Sequence, residues 1–343
     1  MSSLLSRTRG TGGLALAALT LTGLAACGGG GGATATTTRA ATNHSRSDRH
    51  ERTTLVAGST TTMTTHAAPP PPPPPPSYAH LTSDALATGP TGLVPAATWR
   101  GQTAAWVARS PGGIALMSFN QRLVELHLHS GTIDAGAAGW RFGPSVAGSE
   151  GRHLLAAFNG AFRLSTGSGG FMADGRVAAA LRSGLGSVVT YADGSTDIGS
   201  WGSEVPAHGQ PVVSVRQNLS LLIDNGTPSS NLGCLTCWGA TLGGVADPAR
   251  SALGITADGH LIWAGGEHLT VSDLATALLA AQVVRAVELD INPEWVAGYL
   301  YGHRGGHGPL APVPVVPGQN GIPGEYLVPW SRDFFTVATR SGA

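Results

Sequence analysis

The sequence predicts an α+β fold, mainly antiparallel β-sheet with one or two packed helices, and three observations predict it. First, Asp-Gly closes the same short pattern three times, in Met172-Ala173-Asp174-Gly175, Tyr191-Ala192-Asp193-Gly194 and Thr256-Ala257-Asp258-Gly259, each with apolar residues on both sides. Asp-Gly between apolar runs is a strong hairpin signal, because glycine tolerates positive φ and the Asp side chain bonds the turn backbone. These three aspartates are therefore read as turn residues, not as catalytic acids. Second, 50 of the 343 residues are glycine and only 12% are charged, a composition of turns and strands rather than of solvated amphipathic helices. Third, one helix is well marked. Thr270-Val271-Ser272-Asp273 has capping-box spacing, with Asp in place of the usual Glu or Gln. Leu274, Ala277, Leu278 and Ala281 follow at helical intervals.

Taken in order, the chain opens with Arg7 and Arg9 before an apolar run over residues 14–26, the pattern of an export signal. The run is too short to cross a bilayer, which takes about 20 apolar residues. It ends in Leu24-Ala25-Ala26-Cys27 before Gly28, which looks like a bacterial lipobox. Residues 1–27 are thus expected to be a lipoprotein signal peptide with Cys27 as the lipidated residue. An ordinary secretory signal with a chance cysteine is the alternative. The expected location is a cell membrane, lipid-anchored and facing the extracytoplasmic side, attached rather than spanning. Residues 28–77 are expected to be a disordered tether, rich in Thr, Ala and Pro and poor in large apolar side chains. Within it, residues 69–76 are unbroken proline, a stiff polyproline II rod of about 25 Å at ~3.1 Å per residue.

One folded domain is expected over residues 78–343. Strands are expected at 114–119 and 123–129. In the second, His127 and His129 alternate with Leu126 and Leu128. With no third ligand nearby, they read as surface-facing strand histidines and not as a metal pair. Residues 154–158 form an apolar strand. The Asp-Gly turns pair 253–256 with 261–264, and 188–191 with the residues after Gly194. The helix runs to about Gln282 and leads into a strand at 284–291. Residues 298–329, rich in Gly and Pro, are expected to be mostly loop. Phe334, Phe335 and Val337 suggest a final strand.

The formal net charge is zero, from 20 basic and 20 acidic residues, so there is no electrostatic case for a nucleic-acid partner. Beyond Cys27, the two remaining cysteines, Cys234 and Cys237, form a CxxC. It has neither a partner CxxC for zinc nor a thioredoxin-like context. A small structural disulfide pinning a loop is expected.

The stretch that promises chemistry is Ala286-Val287-Glu288-Leu289-Asp290-Ile291-Asn292-Pro293-Glu294-Trp295. Val287, Leu289 and Ile291 alternate as in a half-buried strand, which puts Glu288 and Asp290 on the opposite face, roughly 6.6 Å apart. Pro293 ends the strand. Two carboxylates on one face repel unless a cation, a proton or a substrate relieves them.

Four motifs in order resemble the phosphodiester glycosidase family. They are an apolar strand ending in Asn159-Gly160-Ala161-Phe162; the segment 217–226 running into Asp224-Asn225-Gly226; Arg250-Ser251-Ala252-Leu253-Gly254 leading to Asp258-Gly259; and a helix before a strand ending in Leu289-Asp290. The resemblance covers roughly residues 154–296. It implies a single domain of that kind, hydrolysing a glycosyl phosphodiester or related glycosidic bond in cell-envelope or extracellular glycans. Such cleavage passes through an oxocarbenium-like state and commonly uses one carboxylic acid and one carboxylate. The implied roles are Asp290 as the carboxylate facing the reacting carbon and Glu288 or Glu294 as its catalytic partner. Arg250 would grip the phosphate with its planar fork, and Asn159 would bond a sugar hydroxyl or the phosphate. One departure matters. Most members follow Leu-Asp with Gly-Gly-Gly-Ser, a nest of backbone N–H groups for an anion. Here Asn292 and Trp295 occupy that turn, so either another substrate group docks there or turnover has been lost. Trp295 would stack on a sugar ring, or else plug the core. His303 and Arg304, with His307, would line the phosphate site or form a solvated loop. The expected partners are a glycan or sugar-phosphate and, through the lipid, a membrane. No cofactor is expected; calcium among Glu288, Asp290 and Asn292 is the metal left open there, and the stretch lacks calcium-loop spacing. A non-catalytic carbohydrate-binding envelope lipoprotein and a purely structural one are the rivals.

Overall fold

The computed structural model describes residues 77–78, 92–110, 112–239, 244–245, 247–304 and 308–340. The expected signal peptide with Cys27, the tether through its proline run, and His307 lie outside the described residues.

Three sheets carry the chain. The largest has nine strands in the order β1 (Ser77–Tyr78), β2 (Val94–Trp99), β3 (Gln102–Arg109), β4 (Ala115–Asn120), β15 (His260–Gly266), β14 (Arg250–Thr256), β16 (Val283–Glu288), β12 (Ile223–Asp224) and β13 (Thr227–Pro228). A second has β10 (Thr196–Ser200), β9 (Gly186–Tyr191), β11 (Val212–Asn218), β7 (Phe171–Ala173) and β8 (Arg176–Ala179). A third has β18 (Leu310–Pro314), β17 (Gly298–His303), β6 (Leu154–Asn159), β19 (Phe334–Thr339) and β5 (Val124–His129). Strand pairing within the sheets is antiparallel throughout the described residues.

The three Asp-Gly turns do close hairpins, β7–β8, β9–β10 and β14–β15. Gly175, Gly194 and Gly259 all have positive φ, the conformation for which glycine carries no steric cost. The helix is α1 (Val271–Ala280). Thr270 accepts from Asp273 N at 3.1 Å, and Asp273 Oδ2 accepts from Thr270 N at 3.0 Å, so the capping box forms with Asp as its acid. Its buried face, Val271, Leu274, Ala275, Ala277 and Leu278, packs with Ile262, Ala264, Val283 and Ala286 of the nine-stranded sheet. A larger core joins all three sheets through Phe119, Phe158, Phe171, Val188, Trp263 and Phe335.

Two expectations are corrected and one is extended. Strands cover only the smaller part of residues 298–329, as expected, but β17 and β18 pair within them, and β18 tolerates Pro312 and Pro314 because it is an edge strand. The strand expected at 284–291 stops at Glu288, and residues 286–291 are buried throughout, with no solvent face. The histidines of β5 do not face solvent. His129 is buried and His127 half-buried, and both bond Glu150, a residue the local pattern could not bring to them.

Candidate functional site

Successive residues of a strand point to opposite faces, and that rule divides the expected site at β14. Arg250 goes to one side. Its Nη1 bonds Glu288 Oε1 at 2.6 Å, its Nε donates to Leu269 O at 2.9 Å, and both residues are 0% exposed. Arg250 Nη2 and Glu288 Oε2 have no partner. Burial pushes the Glu288 carboxyl up to about 8, against the pull of Arg250 beside it. This pair is sealed in the core, so Arg250 does not meet a phosphate and Glu288 is not placed as a catalytic partner.

Ser251 goes to the other side and joins two expected site residues. Asn159 Nδ2 donates to Ser251 Oγ at 2.8 Å, and Asp290 N donates to the same oxygen at 3.2 Å. Asn159 also donates to Gly160 O, and its Oδ1 accepts from Ala297 N. With its donors and acceptor occupied inside the protein, Asn159 is a scaffold residue rather than a substrate contact.

Asp290, 4% exposed, has both carboxylate oxygens engaged. Oδ1 accepts from the amides of Ile291 at 2.7 Å and Asn292 at 3.0 Å, and Oδ2 from Arg332 Nη2 at 3.2 Å. Burial pushes this carboxyl up to about 6, although Arg332 and the two amides favour the ionised form. Arg332 bonds Asp134 through Nε and Ala161 O through Nη2 at 2.8 Å. One guanidinium therefore holds two aspartates, the sharing for which the planar fork is suited.

A second guanidinium lies alongside. Arg216 takes both oxygens of Asp333, at 2.7 and 3.0 Å, and donates to Phe162 O. The Asn159-Gly160-Ala161-Phe162 turn thus serves both arginines with its carbonyls, Ala161 O for Arg332 and Phe162 O for Arg216. Gly160 is required by close approach: a Cβ there would run into the carboxylate of Asp333.

This network borders a cleft. The cleft, of about 650 Å³, is lined by Asp134, Trp140, Arg163, Arg176, Ser331 and Arg332, with further small and apolar residues. Arg163 and Arg176 are exposed, and Arg176 lies 3.9 Å from the Trp140 ring centre. Three guanidiniums against one lining carboxylate make the cleft cationic, and Asp290 stands behind it, on Arg332.

The remaining expected residues fall elsewhere. Trp295 does not line the cleft. It is half-buried, with Arg332 at 5.1 Å and Arg163 at 5.8 Å from its ring centre, so it supports two cleft arginines instead of plugging the core. Asn292 Oδ1 accepts from Glu294 N at 2.9 Å, and Glu294 is exposed on that turn. His303, bonded through Nδ1 to Gly308 O at 2.8 Å, and exposed Arg304 lie at the end of β17, outside the cleft lining. Glu288 and Asp290 point to different arginines, which leaves no shared calcium site. Among the described residues no group of three or more His, Cys, Asp and Glu is arranged for a metal. Cys234 and Cys237 form a disulfide.

Asp134, Arg216, Arg332 and Asp333 were not singled out from the sequence. One signal was available: Arg332-Asp333 is an adjacent charged pair directly before an apolar strand in a chain only 12% charged.

No family model and no curated protein matches this chain. Among solved structures it is similar to the zebrafish N-acetylglucosamine-1-phosphodiester alpha-N-acetylglucosaminidase catalytic domain auto-inhibited by its pro-peptide, at 16% identity, over 78% of this chain and 88% of that one, with a TM-score of 0.43. It is also similar to a hypothetical protein from Synechocystis, at 13% identity, over 74% of this chain and 64% of that one, with a TM-score of 0.41.

Proposed function

We propose that this chain is a hydrolase of glycosyl phosphodiesters and that its site is the cationic cleft floored by Arg332. One observation carries the proposal: two buried aspartates, Asp134 and Asp290, converge on one guanidinium at the floor of a cleft rimmed by Arg163 and Arg176. Two carboxyl groups are what acetal cleavage uses, and a phosphodiester supplies the negative charge that three arginines favour. A phosphate seated on Arg332 would take over part of that guanidinium and free Asp290 Oδ2. Burial raises Asp290 to about 6, so it still holds a proton below that pH. It would deliver that proton to the departing phosphate oxygen, while Asp134 takes one from the water attacking the anomeric carbon. The products are a free sugar and a phosphate monoester. Trp140 and the apolar residues of the lining suit the faces of a sugar ring. The proposed setting is cell-envelope material reached from a lipid anchor at Cys27.

The test is release of reducing sugar from methyl-phospho-glycoside diesters by the full chain. Asp290→Asn and Asp134→Asn should each lower the rate by about 10²–10⁴-fold, the usual contribution of a positioned acid or base. Unchanged release in both variants overturns the proposal. The binder is the second reading, favoured by the fact that both aspartates are already engaged by Arg332. It predicts retained binding of glucose 1-phosphate with no release from any diester.

A further inference from the structure

Residues 130–142 form the loop that walls the cleft with Ile133, Asp134, Ala135, Gly136 and Trp140. Ser130 N donates to Phe142 O at 3.1 Å and closes the neck of this loop. The two histidines of β5 stand at that neck. Glu150 Oε1 is the target of three side chains: Thr336 Oγ1 at 2.6 Å, His127 Nδ1 at 2.9 Å and His129 Nε2 at 3.1 Å. His129 Nδ1 lies 2.8 Å from Gly143 O, which only accepts, so that nitrogen carries a hydrogen. The Thr336 hydroxyl gives its hydrogen to Glu150, so His129 Nε2 also faces acceptors. His127 has Glu150 on one nitrogen and Glu125 Oε1, at 3.6 Å, on the other. The His127 ring is held between two carboxylates, an arrangement fully satisfied when both of its nitrogens bear hydrogen. Stacking binds the rings to the same place, His127 on Phe142 at 4.1 Å and His129 on Phe334 at 4.3 Å.

We infer that His127, His129 and Glu150 form a pH-sensitive clasp that positions the cleft wall, closed while the His127 ring is charged and loosened when it gives up its proton. The clasp regulates the site proposed above and rests on that reading only for its effect on ligand. The charged groups facing His127 come from each element around it: Glu125 on β5, Glu150 on the turn after the loop, and, acting on Glu125, Arg141 of the loop and Arg340 beyond β19. Burial works against the charged ring, but Glu125 and Glu150 outweigh it and hold the His127 proton above the usual value of 6.5. Burial likewise opposes the Glu150 carboxylate, yet His127 and His129 hold it well below its usual 4.5. The signs give a window. The raised histidine contributes fully below 6.5 and loses its contribution as pH climbs through its folded value. The depressed glutamate contributes above 4.5 and loses its contribution only well below it. The clasp is therefore tightest between those two values and opens on the alkaline side.

Amide hydrogen exchange on the full chain, between about pH 6 and about pH 9, reads the clasp without ligand. After correction for intrinsic exchange, residues 130–146 should lose protection about tenfold for each unit by which the fold has raised His127, while β6 and β14 hold theirs. Affinity for glucose 1-phosphate should fall over the same range. Glu150→Gln removes one charge that holds the His127 proton and should move the loss to lower pH; Glu125→Gln, which leaves Glu150 in place, should move it part of the way. Flat protection of 130–146 in the unaltered chain overturns the clasp, and so does a profile that neither variant moves. A clasp that opens as described in a chain that binds no glucose 1-phosphate at any pH upholds the clasp and overturns the site reading instead.

Discussion

Arg332 Nη2 lies 3.2 Å from Asp290 Oδ2, and the same guanidinium bonds Asp134 through Nε. Two acids from distant parts of the chain therefore depend on one base. Removing it strands both. Arg332→Met should destabilise the protein by about 3–5 kcal/mol, the usual cost of leaving buried charge unpaired, read as a lower urea midpoint. It should also abolish binding of glucose 1-phosphate. A variant of normal stability would mean that the aspartates find relief elsewhere.

The Arg250–Glu288 pair predicts the opposite split. It is sealed from the cleft, so Glu288→Gln should lower stability above about pH 8, where the carboxylate is charged, and leave phosphate affinity within about twofold, an energy difference well under the 1.4 kcal/mol of a tenfold change. Replacing both partners, as Arg250→Met with Glu288→Leu, should recover most of the loss, because a well-packed apolar pair carries no desolvation cost. Calorimetric titration and denaturation on the same samples separate the two effects.

Asp290 sets a pH limb. Its carboxyl sits at about 6, raised from 3.8, so the proposed acid form is lost as pH rises through about 6. Cleavage should fall about tenfold per pH unit above that point, and Asp290→Asn should erase the limb. The same shift favours folding fully below 3.8 and loses that contribution as pH climbs through about 6. A rate profile flat between about pH 5 and about pH 8 would remove Asp290 from the acid role.

Gly160→Ala is a steric test of the arginine cradle. The added methyl collides with Asp333, which cannot retreat without releasing Arg216. Overpacking of this kind costs about 1–3 kcal/mol. Because Gly160 does not line the cleft, reduced phosphate affinity in this variant would show that the cradle sets the position of Arg332.

What the sequence made legible was local. The three Asp-Gly hairpins and the Thr270–Asp273 cap are decided within a few residues, and they stand as expected. The strand ending near Asp290 was placed, but its surroundings were not. Alternation says which side chains share a face and nothing about what covers that face, and here both faces are covered. Asp134, Asp290 and Arg332 are brought together only by the packing of sheets, as are His127 and Glu150. The resemblance implies a phosphate for Arg250, but the residue that takes its guanidinium is Glu288, from the neighbouring strand of the same sheet.

The strand order has a consequence for synthesis. Asn120 pairs with His260, and His129 with Phe334, so early strands wait for late ones before their edges are covered. A nascent chain held on the ribosome should stay sensitive to protease until its last strand is released, then become resistant in one step. Truncation before Phe334 should leave a product that never acquires that resistance.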